Sequence, residues 1–127
     1  MQFLNSPSTL GAKLPLSLAV RVGDVLYISG MVGIIPATFQ LAGGGLEGEA
    51  RQTMENIGAI LKENGLTFRD VFKKTVIMAD ISKLMELNKI FLTYFPPDRM
   101  PASTTFGGAP ALGAQVEVEC WAYVGKS

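Results

Sequence analysis

Residues 115–124 read QVEVECWAYV, a strict alternation of two chemically different sets. A strand turns successive side chains to opposite faces. Val116, Val118, Cys120, Ala122 and Val124 therefore make one apolar face, suited to lie under helices. Gln115, Glu117, Glu119, Trp121 and Tyr123 make the other. Trp and Tyr carry large apolar area, and carboxylates at alternate positions repel unless something pairs with or solvates them. Such a face is a poor fit to open water. The economical cover is a second copy of the chain, with polar groups trapped where subunits meet. A homo-oligomer is expected from this stretch alone.

Working outward, residues 102–107 (ASTTFG) read as a short strand. Before it, residues 82–95 read as a helix with Ser82 as N-cap. Leu84, Leu87, Phe91 and Tyr94 or Phe95 form its inner stripe, and Pro96-Pro97 stops it. Residues 71–80 (VFKKTVIMAD) are β-branched and apolar enough for a buried strand, with Lys73 and Lys74 read as solvated at its start. Thr67 and Asp70 can cap one short turn. Over 46–64 the apolar Leu46, Ala50, Met54, Ile57 and Leu61 recur at three- and four-residue steps between charged residues, giving an amphipathic helix with Gly65 just past its end. Residues 33–45 read as a loop. Their Gly43-Gly44-Gly45 lacks a following GK[ST] and the strand-to-helix spacing of a dinucleotide site, so a flexible connection is preferred to a phosphate cradle. Residues 18–32 (LAVRVGDVLYISGMV) are two apolar runs about Gly23-Asp24, a β-hairpin with a type II′ turn. The order is ββαβ-αβ(β). Each helix is a crossover, and crossovers in one sheet share a hand, so both helices belong on one face. The opposite face is left bare in a single chain.

A chain of 127 residues, 48% hydrophobic and 17% charged, fits one domain, 1–127, able to fill a core. Eleven basic and eleven acidic residues give zero formal charge, which argues against nucleic acid or an anionic membrane as partner. Without a histidine there is no Ser-His-Asp or Cys-His catalysis and no imidazole-bound zinc; with one cysteine there is no intrachain disulfide or CxxC site. No metal is expected. The first 14 residues show no basic-then-apolar leader, and the longest near-apolar stretch, 25–37, is too short to span a bilayer, so a cytoplasmic protein is expected.

Each candidate side chain also has an ordinary reading. Glu117 and Glu119 are read first as paired or solvated strand carboxylates and second as an acid or base. Cys120 falls on the core-facing set with no histidine to activate it, so core filling outweighs nucleophilic chemistry. Trp121 suits interface packing better than base stacking. Ser103, Thr104 and Thr105 can bind a ligand through hydroxyls, although strand threonines need no such reason.

The segments AVRVGDVLYISGMVG (19–33), ARQTMENIGAILKENGLTFRDVFKKTVIMADI (50–81), LNKIFLTYFP (87–96), PASTTFG (101–107) and VEVECWA (116–122) together resemble the reactive-intermediate deaminase family, RidA/YjgF, also labelled endoribonuclease L-PSP. The resemblance implies an α+β, chorismate-mutase-like fold: a mixed β-sheet with two helices on one face, assembled as a trimeric barrel with ligand clefts between subunits. It implies hydrolysis of small enamine or imine acids to a keto acid and ammonia, without a cofactor. In that family an arginine holds the substrate carboxylate in a two-pronged contact and a water near a glutamate attacks the imine carbon. Glu117 stands where that glutamate is expected, and Ser29, Gly30 and Asn88 also match.

The match is uneven at the anion end. Ser103 stands where the arginine is expected, Leu16 replaces an N-terminal aromatic, and Met31 replaces the usual glutamine after Ser-Gly. Exchanging a charged fork for one neutral hydroxyl costs about 2–4 kcal/mol of binding, roughly 30- to 1000-fold. Arg99, four residues earlier, is a less favoured partial substitute at the cleft mouth. The expected function is a RidA-type hydrolase or deaminase acting in an inter-subunit cleft on an imine larger or less acidic than usual. The alternative is a trimeric small-ligand binding protein that has lost the chemistry. Ribonuclease action fits poorly with zero charge, no basic stripe and no histidine.

Overall fold

The computed structural model describes residues 1–5 and 15–125. The reading of residues 6–14 as free of a leader pattern lies outside them. In chain order the strands are β1 (Gln2–Leu4), β2 (Ala19–Val22), β3 (Val25–Met31), β4 (Ile34–Ile35), β5 (Gln40–Leu41), β6 (Val71–Met78), β7 (Ala102–Gly107) and β8 (Val116–Tyr123). The helices are α1 (Gly45–Glu63) and α2 (Leu84–Phe91). Six strands form one mixed sheet in the order β1-β2-β3-β8-β6-β7, and β4 pairs with β5 apart from it. The alternating segment has become β8, inside the sheet, antiparallel to both β3 and β6. β6 and β7 run parallel, and α2 makes the crossover between them. α1 joins the β3 side to β6 and packs against β3 and β8.

The parity of β8 sorts the whole sheet. Val116, Val118, Cys120 and Ala122 are buried, as are Ile28 and Leu26 on β3 and Val76 and Met78 on β6 in register with them. Met54, Ile57 and Leu61 of α1 and Leu87 and Phe91 of α2 complete this core. On the other face Trp121 meets the Tyr27 ring edge-on at 5.3 Å and the Phe72 ring at 6.4 Å. Tyr27, Phe72, Phe106 and Tyr123 remain 38, 42, 47 and 39% exposed. The helices cover one face and leave an aromatic one bare, as the alternation requires.

Local chemistry explains the element ends. The β2–β3 turn pairs Val22 with Val25 across Gly23, whose φ of 58° is the positive value a II′ turn needs. α1 closes with the Leu66 N–H on Leu61 O and the Gly65 N–H on Lys62 O, the double bond of a Schellman ending. Thr67 and Asp70 form a reciprocal capping box before β6.

Three expectations need correction, and one strand is new. The 33–45 loop contains the β4–β5 hairpin, and its triple glycine opens α1, with Gly44 as N-cap at φ 94° and Gly45 at φ 65°. The second helix is shorter than 82–95. Asp80, not Ser82, caps a 3₁₀ turn at Ile81–Lys83 by taking both the Ser82 N–H and the Ser82 hydroxyl; α2 proper is Leu84–Phe91. β1 was not anticipated; Phe3 pairs with Val20 at the sheet edge. Lys74 is not solvated but 6% exposed. A bulge gives both Phe72 and Lys73 to the bare face, while Lys74 keeps the inward parity of Val76 and Met78.

Candidate functional site

Three features of the chain position Glu117. β8 presents it on the bare face, opposite Ile77 of β6. The turn Ala111–Gly113 then passes beside it, and the Ala111 N–H donates to Glu117 Oε1 at 2.9 Å. That turn holds Leu112 at φ 60°, a left-handed conformation rare for a bulky residue, so strain is stored where the carboxylate is oriented. Finally, β3 bulges between Ile28 and Met31, which brings Gly30 against the second oxygen, Glu117 Oε2. Any side chain at Gly30 would occupy the place of that oxygen.

Beside Gly30 opens a cavity of about 200 Å³ lined by Leu16, Met31, Val32, Ile34, Ala111 and Leu112, almost wholly apolar. α1 builds its wall. Asn56 Nδ2 donates to Val32 O and Ile34 O, and Gly33 lies so close to the Glu49 backbone that no Cβ fits. Ser29 supports the opposite rim, since its hydroxyl donates to Ser17 O at 2.6 Å and ties down the segment carrying Leu16. Glu117, Gly30, Met31 and Leu16 thus belong to one place, with Ser29 as a brace.

The remaining candidates belong elsewhere. Ser103 and Thr105, in register with Lys74 and Val76, face the helices. Thr104, in register with Thr75, shares the bare face with Glu117 and accepts from Lys73 Nζ at 2.9 Å. Asn88 is exposed on α2, three residues before Phe91. Within one chain Ser103 and Glu117 lie on opposite faces, with β6 between their strands. Arg99 does not serve Ser103: its Nε donates to Arg69 O, in a separate hollow with Phe72, Met100 and Tyr123.

The cation beside Ser103 is Lys74, whose Nζ donates to Ser103 Oγ at 2.7 Å and sits 4.2 Å from the Phe91 ring centroid. Burial holds this ammonium below the usual lysine range. Burial pushes the neighbouring Cys120 thiol up to about 12, so it stays protonated and unreactive at neutral pH, in keeping with its reading as core. Lys74 escaped the reading of the sequence because two adjacent lysines look like a solvated strand end. The signal was present in the two-residue step to Val76 and Met78. Among the described residues no cluster of three or more acid or cysteine side chains stands ready to hold a metal, and no helix is long and apolar enough to cross a membrane.

Comparison with known proteins brings one family forward. Residues 6–124 match the family described as Endoribonuclease L-PSP. The mouse 2-iminobutanoate/2-iminopropanoate deaminase is 40% identical over 121 residues, 94% of this chain and 87% of that protein. The crystal structure of RidA from an Antarctic Psychrobacter superposes with a TM-score of 0.89 at 33% identity, covering 97% of this chain and 99% of the other. A Yersinia pestis Rid-family protein, YyfA, superposes with a TM-score of 0.91 at 31% identity, covering 97% and 98%.

Proposed function

This chain belongs to the endoribonuclease L-PSP family, that of the reactive intermediate deaminases, and from that premise we propose that it hydrolyses a small imine or enamine acid in a cleft shared by two copies of itself. The observation that carries the reading is Glu117. One of its oxygens is fixed by the Ala111 N–H and the other rests beside Gly30, at a cavity that nothing polar blocks. A carboxylate so placed takes a proton from water as the water oxygen attacks the imine carbon. That proton passes to the nitrogen to give a carbinolamine; the second water proton, on the new hydroxyl, then follows to the nitrogen as the C=O forms and the C–N bond breaks, and keto acid and ammonia leave. No cofactor enters this scheme.

The bare aromatic face supports a homotrimer, because three copies turned inward cover one another's Tyr27, Phe72, Trp121 and Tyr123. The opposite orientation of Ser103 and Glu117 supports a cleft between subunits. One copy supplies Leu16, Ser29, Gly30, Met31 and Glu117; its neighbour supplies Ser103, Thr104, Thr105 and Asn88. The apolar cavity by Leu16 and Met31 supports a substrate with a bulkier side chain than a three- or four-carbon imino acid.

The test is clearance of imino acids generated in situ by an amino-acid oxidase. Decay of 2-iminobutanoate and of the leucine-derived imino acid is followed against buffer. Faster decay with preference for the bulkier substrate is expected. No acceleration of either returns the chain to a trimeric small-ligand binder, the reading favoured by Ser103 in the arginine's place.

Gly30→Ala gives a sharper check. Its methyl must displace the end of the flexible Glu117 side chain, a change the fold absorbs. Thermal unfolding is expected to shift by only a few degrees, while kcat falls about 100-fold through misplacement of the carboxylate. Unchanged turnover would remove Glu117 from its role.

A further inference from the structure

Two charged side chains are buried among the described residues, Glu49 and Lys74. They are treated differently. Glu49 Oε1 accepts the Gln115 N–H at 2.8 Å and so ties α1 to the start of β8. Lys74 has one hydroxyl, Ser103 Oγ, and one ring face, Phe91. None of the ion pairs among the described residues includes it. An ammonium carries three donors and a full charge, and withdrawing it from water without an anion costs more than an apolar residue of similar volume would. The groups around it supply no negative charge. Cys120 on β8 is a protonated thiol, α2 offers the Phe91 ring, and Lys73 on the same strand is itself a cation. A buried charge kept unpaired is a feature of sites that meet their counter-ion from outside.

The way in is Ser103. It is exposed on the edge strand β7 while its oxygen accepts from Lys74. Having accepted, the hydroxyl directs its own proton away from the ammonium, with its donor strength raised by the charge behind it.

We propose that Lys74 and Ser103 together hold the anionic end of the ligand: the buried ammonium donates to Ser103 Oγ, and the polarised hydroxyl donates to a ligand carboxylate oxygen. The charge thus comes from β6 rather than from β7, one residue behind the surface. This deepens the proposed function and rests on it for the ligand's identity as a small keto or imino acid.

Binding of 2-oxobutanoate and of its uncharged amide, measured by titration calorimetry, tests the assignment without needing turnover. The protein is expected to prefer the carboxylate at least tenfold. Lys74→Met and Ser103→Ala are each expected to weaken the carboxylate roughly 10- to 100-fold and leave the amide unchanged. Lys74→Arg should retain most of the preference. Lys74→Met should also melt higher at pH 7, and this advantage should shrink as pH rises. The wild-type lysine has a lowered folded-state pKa, so the unfolded chain holds more protons and wild-type stability climbs between that pKa and 10.5.

Equal binding of acid and amide by the wild type overturns the proposal. So does an undiminished carboxylate preference in Lys74→Met, or a lower melting point with the binding unchanged, which would mark the charge as paired with a neighbouring copy. A protein that binds carboxylates through Lys74 yet hydrolyses no imine keeps this inference and loses the proposed function. Imine hydrolysis whose KM ignores Lys74→Met does the reverse.

Discussion

If the parent assembles as the proposed trimer, a Trp121→Asp chain is expected to sediment as a folded particle of 13.6 kDa and to lose imine hydrolysis with the assembly. Trp121 sits near the middle of the bare face, braced edge-on by Tyr27 and Phe72. Aromatic anchors at such a centre contribute disproportionately to association, commonly about 2–4 kcal/mol each on truncation. Aspartate does more than truncate. It adds a carboxylate to a face already carrying Glu117 and Glu119, and association would bury it once in every copy. A rise of at least roughly 1000-fold in the dissociation constant is expected. The fold should survive, because the buried partners of β8 are Val116, Val118, Cys120 and Ala122 on the other face. Trp121→Phe keeps the ring and should stay trimeric and active. A Trp121→Asp chain that remains trimeric, or an active monomer, would end the claim that copies build the cleft.

The same strand shows how far sequence reading reaches. Period-two alternation in QVEVECWAYV settled which face of β8 is core, and capping chemistry at Thr67 and Asp70 and at Gly65 located element ends within a residue or two. Those signals are local, and the structure retains them. Where two local signals compete, reading fails. Asp80 and Ser82 are both good caps, and Asp80 wins by accepting two hydrogen bonds. Two adjacent lysines read as a solvated strand end by composition, yet strand alternation sends Lys73 and Lys74 to opposite faces, with Lys74 on the parity of the buried Val76 and Met78. The site suffers from the same limit. The strand offers Glu117 and Glu119 alike, and only the family resemblance separates them; the partner of Glu117, the Ala111 N–H, belongs to a strained turn whose Leu112 conformation no residue preference announces. Arg99 was nearer to Ser103 in sequence than Lys74. Register, not sequence distance, put Lys74 beside it.

Glu117→Gln separates chemistry from architecture, and its expected effect is the largest on turnover. The amide matches the carboxylate in shape and can still accept the Ala111 N–H through its carbonyl oxygen, so neither the turn nor the Gly30 contact need move. What it cannot do is take a proton from water. General-base assistance of this kind contributes about 100- to 10,000-fold, and kcat/KM for the imino acid is expected to fall by that factor. Binding of 2-oxobutanoate should change by less than about threefold, because the proposed function assigns the carboxylate-holding end to the other subunit. Glu119→Gln is the matched control: it removes the same charge from the same face, two residues along and opposite Thr75 rather than beside Gly30, and should leave the rate nearly intact. If both glutamine variants slow the reaction alike, the acid row acts through its field and Glu117 has no special place. If neither does, water attacks the imine without help from this face. Only a loss confined to Glu117 fits a single carboxylate that a backbone N–H aims and a glycine makes room for.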